Sequence, residues 1–228
     1  MGNKKLGVIL FMGRANCSYS KKVEILLKKI SHKFFYFESN NMGEKIDDYL
    51  LKINYDYIFC FRSYYILKKK LLKNVNKVAI NFHPGPPEYR GTGCVNYAVY
   101  DNSKFYGSTA HIINEKIDNG KIIDVKKFKI KKNNTISEIL NKTYEVMSNQ
   151  AISIINKIKL DSCYIDKKIL KNKNIKWSKK IKRIKELNKF YQIDTNLNKK
   201  DFFHKIRATN TPRFKPYVII YGKKFFLE

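Results

Sequence analysis

Nowhere in the chain do eighteen apolar residues stand together, so no segment is long enough to span a bilayer as a helix. The opening stretch "MGNKKLGVILFMGR" has too short an apolar run, and no small-residue cleavage site, for a secretory leader. Leu6 stands where an N-myristoylation signal needs Ser or Thr. Cysteine is scarce, with 4 in 228 residues and no Cys-x-x-Cys or His-paired metal spacing. Free thiols in a reducing compartment are expected, with no metal site and no disulfide. These absences predict a soluble, cytoplasmic protein with no membrane partner.

Acid is also short: 19 Asp and Glu face 47 Lys and Arg, a net charge of +28. That balance invites a nucleic-acid partner. Yet Lys far outnumbers Arg, and Asn, Ile, Tyr and Phe are abundant, as in proteins from genomes rich in A and T. The basic residues are spread out, with modest clusters at 68–70, 126–132 and 179–185. The expectation is no specific nucleic-acid partner, with non-specific polyanion binding at low salt.

Proline and glycine are few, 5 and 10, and three of each fall in "VAINFHPGPPEYRGTG", residues 78–93. Their gathering marks one stretch as special. Val78, Ile80 and Phe82 alternate with Ala79, Asn81 and His83, so a strand here places Asn81 and His83 on one face. The prolines and glycines then end the strand.

A chain of this length holds one good core, with room for a small appendage. Residues 6–13, 33–39, 55–62 and 77–83 read as strands, and 17–30, 43–53 and 65–75 as helices between them. Such alternation predicts an α/β fold: a Rossmann-like, mostly parallel sheet with helices on both faces. Ligands then belong at the carboxyl ends of the strands, near 61–65 and 83–93. A short helix over 92–102, strands over 106–114 and 121–130, and an amphipathic helix over 135–159 follow. That helix carries Ile136, Ile139, Leu140, Tyr144 and Met147 on one face. The predicted catalytic domain is 1–160. Residues 161–228 form a small C-terminal extension: a polar connection, a short helix and a β-hairpin on "YGK".

Asn81, His83 and Asp118, the last in the "IDNG" turn, converge on one end of this sheet. A carboxylate fixes the tautomer of a His and holds its charge, and an Asn amide can donate to a developing oxyanion. No Ser or Cys occupies a nucleophile elbow, so the trio suits acyl transfer to a nitrogen supplied by the substrate. Two blander readings stay open on local chemistry: an incidental Asn-x-His, and a Pro-Gly-Pro-Pro segment that is only a rigid loop.

"INFHPGPPEYRGTG" followed by "YGSTAHIINEKIDNGKII" resembles the formyltransferases that use 10-formyltetrahydrofolate, over roughly residues 5–160. Within that family the two motifs are similar to those of the sugar N-formyltransferases, which often carry Pro at the position of Arg90 and Trp at that of Asn96 or Tyr97. The resemblance implies catalytic roles for Asn81, His83 and Asp118, a folate site at Phe61, Arg62, Ser63, Tyr64, Asn81, His111 and Asp118, and no metal. It implies a nucleotide-sugar cradle at Pro84, Gly85, Pro86, Tyr89, Gly91 and Tyr97. The implied acceptor is a dTDP-linked amino-dideoxy sugar, dTDP-4-amino-4,6-dideoxyglucose, destined for surface polysaccharide such as O-antigen. The 3-amino isomer and initiator methionyl-tRNA are the alternatives. Glu88 reads as a sugar-hydroxyl acceptor or a solvated loop residue, and His32 and His204 as surface residues. Trp177 either packs the tail on the main domain or binds nothing. Homodimerisation through the hairpin at 217–228 is also expected.

Overall fold

The computed structural model describes residues 5–211 and 214–227. The myristoylation expectation at Met1–Gly2 and the end of the hairpin at Glu228 lie outside them. The elements run β1 Leu6–Arg14, α1 Ser18–Ile30, β2 Ser31–Ser39, β3 Tyr55–Phe61, α2 Lys69–Leu72, β4 Val75–His83, β5 Arg90–Gly91 and α3 Cys94–Tyr100. They continue with β6 Phe105–Ile112, β7 Ile122–Lys129, α4 Ile136–Leu160, α5 Tyr164–Lys171, β8 Ile181–Lys182, α6 Ile184–Phe190, α7 Lys199–Thr209, β9 Tyr217–Ile220 and β10 Lys223–Phe226.

The central six-stranded sheet has the order β2-β1-β3-β4-β6-β7. The pairs from β2 to β4 are parallel, and β6 and β7 join antiparallel. Strand alternation divides β1 between two cores. Ile9 and Phe11 meet Val23 and Leu27 of α1 and Met147, Ala151 and Ile155 of α4, whereas Leu10 and Met12 meet Ile46, Leu50, Leu67 and Leu71 on the other face. A capping box fastens the start of α4: Glu138 N–H donates to Thr135 Oγ1 at 3.2 Å, and Thr135 N–H donates to Glu138 Oε2 at 2.9 Å.

The second face is covered more lightly than the spacing predicts. The helix expected over 43–53 is only a 3₁₀ turn at Leu50–Lys52, and that over 65–75 is one turn, α2. Leu50 and Leu71 reach the sheet from these turns, and Ile46 and Leu67 from the irregular backbone just before them, so a longer helix adds no buried anchor. Asn74 also commits its carbonyl to Tyr55 N–H at 2.7 Å, which ends the second segment as it enters β4.

The polar connection after α5 is more ordered than its composition suggests: β8 pairs with β5, and α6 follows. α7 packs on α3, where Asn96 Nδ2 donates to the Ala208 carbonyl at 2.8 Å and to Tyr191 Oη at 3.0 Å. β9 and β10 form the expected hairpin, turning at Tyr221 and Gly222 with φ of 49° and 76°. Cys17, Cys60, Cys94 and Cys163 are free thiols. No helix among the described residues is long and apolar enough to cross a membrane.

Candidate active site

β4 and β6 bring the polar residues together by register. Asn81 lies opposite His111 and His83 opposite Thr109, so all four share one face of the sheet. Beyond His83 the prolines leave no donors for a ladder, and the loop is held from β6: Tyr106 Oη donates to the Pro84 carbonyl and Thr109 Oγ1 to the Gly85 carbonyl, each at 2.8 Å.

Asp118 meets these residues from the β6–β7 turn. Its Oδ2 lies 3.4 Å from His83 Nδ1 and its Oδ1 3.5 Å from His111 Nε2. Gly91 N–H donates to Asp118 Oδ2 at 3.2 Å, and Arg90 Nε donates to the Ile117 carbonyl at 3.0 Å, so the two loops are stapled edge to edge. A proline at position 90 could not make that guanidinium contact. Asp118 adopts φ 42°, a left-handed conformation that Asp tolerates better than most residues. Gly120 is needed two residues on, because a Cβ there would lie 1.7 Å from the Ile112 carbonyl oxygen.

The remaining bonds orient both imidazoles. His111 Nδ1–H donates to the Ile112 carbonyl at 2.8 Å, and Asn81 Nδ2 donates to His111 Nε2 at 3.1 Å, leaving the second amide hydrogen of Asn81 for a ligand. His83 Nε2–H donates to the Tyr89 carbonyl at 3.0 Å, beside the Cys94 thiol, which itself donates to the Gly91 carbonyl at 3.1 Å. The side chains of His83 and Asp118 are only 4% and 10% exposed. Burial opposes charge on His83, but Asp118, the Cys94 sulfur and the Tyr89 carbonyl outweigh it and raise the pKa from 6.5 to about 9. Burial likewise opposes charge on Asp118, but the His83 imidazolium and the Gly91 N–H hold its pKa down at about 2. At neutral pH the pair is imidazolium and carboxylate.

A cavity of about 690 Å³ opens beside this pair. Its wall includes Asn81, His83, His111, Asp118, Pro84 and Gly91, with Arg62, Ser63 and Tyr64 from the end of β3. Other expected residues sit elsewhere. Phe61 is a core side chain against Phe82, Gly85 and Pro86 are buried under the loop, Tyr89 packs on Tyr106, and Tyr97 joins Leu187 and Tyr191. Glu88 is paired with Lys127 on the surface. His32 is exposed, whereas His204 is half-buried and its Nε2–H donates to the Tyr100 carbonyl at 2.7 Å.

Several wall residues were not foreseen. Arg14, at the end of β1, stacks on the Tyr64 ring at 3.2 Å, and Arg62 stacks on Tyr144 of α4 at 3.6 Å. Arg62 has φ 58°, the sort of strained backbone that collects at ligand sites. Tyr191 and Phe214 bring the C-terminal extension into the same wall. Two arginines carried on aromatic rings beside an apolar cleft suit a flat heterocycle with an anionic tail.

The fold is a Rossmann-like α/β fold, and the cluster sets a buried His–Asp pair beside its cavity. The formyl transferase family matches residues 12–155, and the chain belongs to that family. The family's formyl carrier is formyl-tetrahydrofolate. Bifunctional polymyxin resistance protein ArnA of Wigglesworthia glossinidia brevipalpis is 30% identical over 173 residues, covering 70% of this chain and 26% of that protein. The methionyl-tRNA formyltransferase of Clostridium tetani (strain Massachusetts / E88) is 31% identical over 155 residues, covering 61% of this chain and 49% of that protein. The chain thus spans about a quarter to a half of these curated relatives. Among solved structures, a 4-N formyltransferase from Francisella tularensis superposes with TM-score 0.74 at 20% identity, covering 96% of each chain. A sugar N-formyltransferase from Shewanella sp FDAARGOS_354 gives 0.70 at 19% identity, again with 96% of each chain covered.

Proposed function

We propose that this protein transfers a formyl group from 10-formyltetrahydrofolate to the amine of a nucleotide-linked amino-dideoxy sugar. The specific acceptor proposed is dTDP-4-amino-4,6-dideoxyglucose, in the making of a surface polysaccharide. The observation that carries the reading is the buried His83–Asp118 pair opening with Asn81 onto one cavity. The formyl carrier supplies an electrophilic carbon. Asn81 offers its free amide hydrogen to the oxygen on which charge develops, and the His83 imidazolium stabilises that charge from beside it. Asp118 keeps His83 protonated and helps route the proton lost by the attacking amine to N10 of the carrier, whose bond to the formyl carbon breaks as tetrahydrofolate leaves. Arg62, Ser63 and Tyr64, with Arg14 and Tyr144, would hold the carrier. Pro84 and residues 91–93 of the loop, with the wall near Tyr191, are left for the nucleotide sugar.

The sugar reading is supported by the two solved structures, each matched over almost its whole length. The +28 charge and the Clostridium tetani relative favour a second acceptor, initiator methionyl-tRNA, although this chain spans 49% of that enzyme. We further assign residues 1–160 to catalysis and 161–228 to an extension whose hairpin pairs two copies. Ile219, Ile220, Phe225 and Phe226 of that hairpin are exposed. Formyl transfer followed by mass, with ¹³C in the formyl group, tests the activity. The native enzyme should label the amino sugar, and His83→Gln should be slower by about 10²- to 10⁴-fold. Full activity in the variant would refute the assignment.

A further inference from the structure

Trp177 is the single tryptophan of the chain, and it comes to the site from the C-terminal extension. Its ring stands edge-on to both imidazoles, with centroids 4.9 Å from His111 and 5.6 Å from His83 and interplanar angles of 86° and 79°. Its Nε1–H donates to the Gly120 carbonyl at 2.8 Å. Gly120 closes the turn that presents Asp118, so this bond fixes the carboxylate's support rather than the carboxylate itself.

The segment around Trp177 is laid across the site by backbone contacts. Asn172 Nδ2 donates to the Ile123 carbonyl at 2.7 Å, and Ser178 N–H donates to the Pro87 carbonyl at 2.9 Å. Thr92 N–H donates to the Lys182 carbonyl at 2.8 Å, where β8 pairs with β5. Residues 172–182 therefore form a strap that touches the loop after β4 and the start of β7. Trp177 sits where the strap passes the His–Asp cluster, on a side of the imidazoles that the cavity wall does not include.

We propose that Trp177 is a positioning residue for formyl transfer: its ring shields the outer side of the His83–Asp118–His111 cluster from water, and its indole N–H fixes Gly120 and thereby Asp118. This rests on the roles given above to His83 and Asp118. Excluding water strengthens the pull of the carboxylate on the imidazolium. Fixing Gly120 matters because Asp118 lies in a left-handed turn that Arg90 and Gly91 hold from the loop after β4 and Trp177 holds at its far end. The groups facing His83 are Asp118 from the β6–β7 turn, Cys94 from α3 and, beyond Asp118, His111 of β6; Tyr106 lies behind Gly85. Trp177 adds no charge to this set, so its influence is through placement and dryness.

The indole reports on its own position, because an adjacent imidazolium quenches tryptophan emission more than a neutral imidazole does. In the full-length protein, emission should rise as pH passes about 9, where His83 loses its proton. The rise should vanish in folded His83→Gln. In kinetics, Trp177→Phe keeps an apolar ring but no donor, and kcat should fall about 10-fold with the KM of the amine within about twofold; Trp177→Ala should fall toward 100-fold. A flat emission profile, a transition that survives in His83→Gln, or a Trp177→Phe enzyme with native kcat would each overturn the proposal. So would a rise in KM at constant kcat. If the native protein transfers no formyl group to any amine, the activity reading falls, while the emission titration still decides whether Trp177 is coupled to His83.

Discussion

The charge state of His83 is the first quantity that ties this structure to a rate. Since kcat/KM follows the free enzyme, it should hold steady from neutral pH and fall as pH rises through about 9. In Asp118→Asn the largest group that offsets burial is gone, so the imidazole should lose its proton at lower pH. The alkaline limb should then move down from about 9, and the rate at pH 7.5 should drop by about 10²-fold or more. An unmoved limb in Asp118→Asn would mean that His83 is not held by this pair. Stability has the same sign on this side. The raised His83 pKa contributes fully below pH 6.5 and is lost as pH rises through about 9, whereas the lowered Asp118 pKa is lost only as pH falls through about 2.

How legible these residues are follows from how they reach the site. Asn81 and His83 could be read from strand alternation alone. Asp118 lies in a turn thirty-five residues beyond His83 (118 − 83 = 35); the alternation of elements places that turn at the same end of the sheet, and the resemblance adds its catalytic role. Arg14 and Tyr144 could not be read: one ends a strand assigned to the core, and the other lies on the apolar face of α4. Trp177 sits in a Lys-rich segment without periodicity, so its place is set by the strap's tertiary contacts.

Among the elements, the loop at 84–93 and the turn at 115–120 act as a unit. Arg90 and Gly91 bond to Ile117 and Asp118, while Tyr106 and Thr109 of β6 hold the start of the first loop. Gly120→Ala forces a Cβ onto the Ile112 carbonyl and should cost on the order of 1–3 kcal/mol. Because the same residue anchors the Asp118 turn, the activity of the folded fraction should fall as well. Thermal unfolding read beside specific activity separates the two effects, and a variant with native Tm would contradict the close approach. The strands were legible to within a residue or two, because β1, β3 and β4 are short apolar runs with clear ends. Over 43–53 and 65–75 the apolar spacing is helical, but the sheet needs only two anchors from each segment, and a single turn with the irregular backbone before it supplies them.

At the scale of the whole molecule, the extension after α4 completes the site as well as lengthening the chain. Tyr191 and Phe214 line the cavity, α7 packs on α3, and the strap crosses the loops. The final hairpin has exposed apolar residues on a two-stranded unit outside the main sheet. Removing residues 217–228 should convert a dimer to a monomer in light scattering, and an unchanged dimer would exclude the hairpin as the interface. The excess of Lys is spread over the surface, which suits weak polyanion binding abolished by salt better than a defined tRNA site.

The most direct test of the account is a competition in one vessel at physiological salt. The protein would receive 10-formyltetrahydrofolate, dTDP-linked 4-amino and 3-amino dideoxy sugars, and methionine-charged initiator tRNA, with formylated products resolved by mass. The account predicts formylation of the 4-amino sugar well ahead of the others, abolished by His83→Gln. Formylation of the charged tRNA alone would contradict it and would make the +28 charge the better guide to the acceptor.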